Sequence, residues 1–93
     1  MVNALEKFSR EVIITNELGI HARSAAKIVA LAKDAKSLVW IIKDGEKADA
    51  SSILDILTLE CTQGSKIIVE IADPLDLDIL NAIAELVEKR FEE

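Results

Sequence analysis

Glu11-Val12-Ile13-Ile14-Thr15-Asn16-Glu17-Leu18-Gly19-Ile20-His21-Ala22-Arg23-Ser24-Ala25-Ala26 sets the reading of this chain. Glu11 to Thr15 is a β-branched run and reads as a strand, with Val12 and Ile14 on one side and Ile13 on the other. Gly19 permits a sharp turn after it. Ala25, Ile28, Val29 and Ala32 then recur at helical spacing, which predicts a helix over Ala22 to Ala35. His21, the only histidine, falls where loop becomes helix.

That position has chemical consequences. A helix N-terminus offers free backbone N–H groups and about half a positive charge. Both disfavour imidazolium and favour an anion, so His21 is expected to be a neutral nucleophile. A phosphoryl group carried on it would find donors in place. Arg23 adds a guanidinium suited to phosphate oxygens. These features point to phosphoryl transfer through phosphohistidine. On local features alone, a plain capping histidine is the competing reading.

Outward from this stretch, Leu38 to Lys43 reads as a strand and Asp44-Gly45 as a two-residue hairpin turn. Glu46 to Ala50 is the returning strand. Ser51 or Ser52 supplies a cap for a helix from Ile53 to about Glu60, with Asp55 in its first turn. Gly64 breaks the chain. Lys66 to Ala72 alternates as a last strand, Asp73-Pro74 turns, and Asp76 is expected to cap a final helix of about Leu77 to Phe91. Leu80, Ile83, Ala84 and Val87 form its apolar stripe. The order β-α-β-β-α-β-α predicts an α+β fold, an antiparallel sheet with helices on one face.

The chain has 93 residues, enough for one domain, and a formal charge of −6, which argues against nucleic-acid binding. Cys61 is the only cysteine, so no intrachain disulfide forms, and a small buried thiol is expected. No apolar run is long enough to span a membrane, and the start lacks the apolar core of a signal peptide. A cytoplasmic location is expected.

Gly19 to Ala26 resembles the active-site signature of HPr, the histidine-containing phosphocarrier family of the bacterial phosphotransferase system. Ser52-Ile53-Leu54-Asp55-Ile56-Leu57-Thr58-Leu59 is similar to the family's regulatory-serine segment, and Thr62-Gln63-Gly64 also corresponds. The resemblance runs from about Glu11 to Arg90. It implies one domain over residues 1–93, with 1–8 as an extra lead-in. The fold would be an open-faced β-sandwich, with a four-stranded sheet in the order 1-4-2-3 and three helices on one face. It implies a carrier rather than a stand-alone enzyme, with no cofactor or metal. His21 would take the phosphoryl group on Nδ1 from the phosphoenolpyruvate-dependent enzyme I and pass it to enzyme IIA-type proteins, with Arg23 stabilising its charge. Ser52 would be the site of an HPr kinase, and Ile53, Leu54 and Leu57 a partner dock.

Ser24 departs from the family, which usually has proline there. Its N–H and hydroxyl are expected to add a phosphate donor and alter the phosphohistidine's lifetime. A second reading is a regulatory docking module of the same fold with altered or no phosphotransfer. The implied strand order also leaves Ile13, Leu38, Trp40, Ile42 and Ile68 on the open sheet face, with Ile13, Ile68 and Trp40 as neighbours. Such a patch calls for a cover, either the lead-in through Leu5 and Phe8 or a second copy in a homodimer.

Overall fold

Alternation decides which side of each strand is dry. In the computed structural model, which describes residues 8–92, Val12, Ile14, Val39, Ile41, Ile67 and Val69 are all buried. They belong to or adjoin β1 (Ser9–Ile13), β2 (Val39–Lys43) and β4 (Lys66–Ile71); β3 (Glu46–Asp49) completes the sheet. The strands are antiparallel in the order β1-β4-β2-β3. Helices α1 (Ala22–Ala32), α2 (Ile53–Thr58) and α3 (Leu77–Glu88) bring Ile28, Ile56, Leu80, Ile83 and Val87 to the same core. Each such side chain contributes about 1.5–3 kcal/mol by leaving water.

The hairpin between β2 and β3 turns through Asp44 and Gly45, both at positive φ (50° and 83°). Two left-handed residues match the twist of the flanking strands, the arrangement Asp-Gly favours.

Several element ends differ from expectation. β1 lies two residues earlier than Glu11–Thr15, because Ile14 bonds outside the β1 ladder, with Ser65 and Gly64. α1 stops at Ala32 rather than Ala35; Asp34 and Ala35 donate three residues back, closing a tight turn. α2 ends at Thr58 because Glu60 adopts a left-handed conformation (φ 51°). α3 ends at Glu88. A 3-10 turn over Arg90–Glu92 follows, and it still buries Phe91 completely.

Asp76 needs correction. It stands at the α3 N-cap but makes no capping hydrogen bond. Its buried carboxylate instead accepts from the backbone N–H groups of Lys36 (2.8 Å) and Ser37 (3.0 Å), pinning the α1–β2 loop. Asp73 does the capping, accepting from Leu75 N–H in a 3-10 turn over Pro74–Asp76.

The open face is less apolar than expected. Its cross-strand rows read Ser9, Glu70, Trp40, Asp49 and then Glu11, Ile68, Ile42, Lys47. Ile13 is 51% exposed and sits across from Lys66, so Ile13, Ile68 and Trp40 lie on a diagonal rather than in one row. Lys47 pairs with Glu70 at 3.2 Å and lies 5.7 Å from the Trp40 ring centre, and Lys66 pairs with Glu11 at 3.8 Å. These side chains interrupt the apolar patch. Phe8 packs against the core and does not cover this face, while Leu5 lies outside the described residues.

Candidate functional site

The loop between β1 and α1 is held by its own polar groups. Gly19 N–H donates to Asn16 O (3.1 Å), and the Asn16 side-chain amide donates to Gly19 O (2.7 Å). Asn16 is buried, and its Oδ1 has no hydrogen-bond partner among the described residues. The sequence places Asn16 at the start of this loop, which runs to Ile20, and asparagine after a strand is a common turn former. Ile20 N–H donates to Cys61 O at 2.8 Å, tying the loop to the segment before β4. Gly19 has φ +66°, and a Cβ there would collide with Cys61 O and come within 2.9 Å of Thr62 Cα.

This frame delivers His21 to the N-cap of α1 in an extended conformation. The ring's Nδ1 accepts from Arg23 N–H at 3.2 Å, and the side chain also caps the Ser24 N–H. A backbone N–H can only donate, so Nδ1 carries its lone pair and the ring proton resides on Nε2. The lone pair of Nδ1 therefore faces the backbone amides at the start of α1. His21 is half-buried and lines a recess of about 480 Å³ with Leu18, Arg23, Lys27 and Glu92.

The Ser24 hydroxyl is engaged elsewhere than expected. It is fully buried, accepts from His21 N–H at 2.9 Å and donates to His21 O at 3.1 Å. It thus closes a capping box around the histidine's own backbone. The donor that Ser24 can offer a phosphoryl group is its N–H. Arg23 is exposed, with its guanidinium end available to an anion.

The other expected residues divide. Ser52 caps α2, accepting from Asp55 N–H at 3.2 Å. Asp55 in turn accepts from Asp49 N–H at 2.8 Å, so it clasps β3 to α2. Ile53 and Leu54 are 36% and 78% exposed, whereas Leu57 is half-buried against the core and Ile56 fully buried. Leu18, at 73% exposure, is a further apolar residue at the His21 recess.

Cys61 is buried, and desolvation pushes its thiol pKa up; nearby Lys43 opposes this and Asp44 adds to it. Alkylation by iodoacetamide at neutral pH is expected to be slow in the folded protein and fast in denaturant. A raised thiol pKa also makes stability fall as pH climbs above about 8.5, where the unfolded thiol ionises first. A urea midpoint unchanged between pH 8 and pH 10 would contradict this.

Among the described residues no group of three His, Cys, Asp or Glu side chains could hold a metal, and no helix is long and apolar enough to cross a membrane.

Comparison with known proteins gives matches over most of the chain. A family model described as the PTS HPr component phosphorylation site matches residues 8–89. Phosphocarrier protein NPr of Shewanella violacea is 39% identical over 90 residues, spanning 96% of this chain and 98% of that one. Phosphocarrier protein HPr of Cupriavidus necator is 34% identical over 84 residues, 90% of this chain and 94% of that one. The crystal structure of HPr-C-His from Thermoanaerobacter tengcongensis matches with a TM-score of 0.82 at 33% identity, over 91% and 96% of the two chains. With its family match spanning nearly all the described residues, the chain belongs to the HPr family of phosphocarriers of the phosphotransferase system.

Proposed function

We propose that His21 Nδ1 is the atom that carries the phosphoryl group, taken from enzyme I and passed to enzyme IIA-type proteins in the cytoplasm. The observation that carries this reading is the Arg23 N–H donated to Nδ1 at a helix N-terminus beside an open recess. In the step, Nδ1 bonds to phosphorus as the donor's bond to phosphorus breaks. Nδ1 has no proton to lose, and Nε2 keeps its own. The Arg23 and Ser24 N–H groups then turn from the ring to a phosphoryl oxygen, and the Arg23 guanidinium meets the others. The reverse movement returns the group to an acceptor.

Incubation with phosphoenolpyruvate and enzyme I, followed by intact mass measurement, tests this. A phosphoryl mass gain lost in mild acid and absent in His21→Ala is the expected result. The docking-module reading predicts a folded chain that gains no mass.

Ser24 acts on this reading by holding the histidine's backbone. Ser24→Pro removes one N–H and the capping-box hydroxyl while keeping the helix start. It is expected to change the acid-free half-life of the phosphohistidine by roughly threefold or more, given the worth of one charge-assisted hydrogen bond. Equal half-lives and transfer rates in the two proteins would remove Ser24 from the site.

Ile53, Leu54 and Leu18 are the apolar surface we assign to partner docking, with Leu57 supporting it from below. We assign Ser52 first to capping α2. A phosphate added there by an HPr kinase would sit close to the Asp55 carboxylate and be repelled by it. Pairing of two copies through Ile13, Trp40 and Ile68 would desolvate the Lys47–Glu70 and Lys66–Glu11 pairs, so we assign the sheet face no dimer role.

A further inference from the structure

We infer that Lys27 is a second cation for the phosphoryl group, a binding residue alongside Arg23; this rests on the carrier reading of His21. Lys27 lies one helical turn beyond Arg23 on α1, so the two side chains stack on one face, and both line the His21 recess. Like charges at this spacing on an exposed helix oppose each other by a few tenths of a kcal/mol. Their placement side by side suits an anion lying between them.

The ammonium is also positioned. Lys27 Nζ donates to Phe91 O at 2.6 Å, which uses one of its three N–H donors. Phe91 is fully buried, and it is presented by three successive left-handed residues, Arg90, Phe91 and Glu92 (φ 56°, 56° and 60°). A half-buried lysine tethered at its tip loses less freedom when it meets an anion than one waving in water.

Charge balance gives the argument its direction. Among the described residues, the recess is lined by three charged side chains, Arg23, Lys27 and Glu92. With Lys27, they sum to one positive charge; without it, Arg23 and Glu92 cancel. A phosphoryl group brings about −1.5 to −2 charges near neutral pH. Among the described residues, only the first arrangement offers it a net cationic site.

Phosphoramidate tests this without a protein donor, so partner docking plays no part. The reagent's P–N bond breaks as the P–Nδ1 bond forms, and ammonia leaves. Lys27→Gln can still donate to Phe91 O but has no charge. Its rate of His21 phosphorylation is expected to fall about tenfold at low salt, with an unchanged melting temperature. Lys27→Arg should return to within about threefold of the parent rate. The parent rate should also drop more steeply with added salt than that of Lys27→Gln. Equal rates for Lys27→Gln and the parent overturn the inference, as does a Lys27→Arg protein as slow as Lys27→Gln. A folded parent that takes no phosphoryl group at all removes the carrier reading itself, and is told apart because parent and variants then coincide at zero.

Discussion

Gly19→Ala is expected to lower the melting temperature by roughly 10–20 °C and to slow His21 phosphorylation about a hundredfold. Two costs combine. A non-glycine residue at φ +66° meets the left-handed penalty of about 1–2 kcal/mol. The added Cβ also overlaps Cys61 O and crowds Thr62 Cα, which are backbone atoms and cannot rotate away. The loop must shift, and the Ile20 N–H to Cys61 O bond is the contact it loses. Together these come to about 2–4 kcal/mol. The loss of phosphorylation rate follows from position rather than from stability. His21 is two residues on, and a displacement near 1 Å moves Nδ1 off the Arg23 N–H axis. Thermal melting and a phosphorylation time course at a temperature where the variant is folded check both parts. A variant as fast as the parent would show that the loop does not position the ring.

Asp76→Ala should destabilise the fold by about 3 kcal/mol with no direct effect on the site. The buried carboxylate serves two backbone N–H groups, Lys36 and Ser37, with one oxygen each. Alanine leaves both without their acceptor and leaves a gap beneath the turn. Asp76→Asn keeps one oxygen and turns an N–H₂ toward the other donor, so it should cost nearly as much rather than half. Urea midpoints of the three proteins give the comparison. An aspartate that acted as an α3 helix cap would behave differently, because asparagine caps as well as aspartate.

The sheet and the helix stripes were legible because burial writes itself into spacing. Val12 and Ile14, Val39 and Ile41, and Ile67 and Val69 alternate with residues that face water, and Ala25, Ile28, Val29 and Ala32 recur every three or four. Asp44-Gly45 was legible through turn chemistry. The place of His21 at the start of α1 was legible because a strand, a glycine turn and a helical repeat bracket it. What stayed hidden depends on partners far along the chain. Asp76 looks like a cap from its neighbours, yet its oxygens face residues 36 and 37. Asn16 and Lys27 read as ordinary loop and helix residues until Gly19 O and Phe91 O are placed against them. Ser24 hid for the opposite reason: its hydroxyl bonds so locally that it never reaches outward.

The pairing of Ile13 with Lys66, and of Ile20 N–H with Cys61 O, joins the two ends of a long stretch of chain. Until ribosomal synthesis has passed β4, the segment carrying the imidazole lacks the strand and the Cys61 carbonyl to which it is tied. A nascent polypeptide should therefore be unable to accept phosphate while its last third is still in the exit tunnel. In refolding from urea, acceptor competence should emerge with the closure of these distant strands.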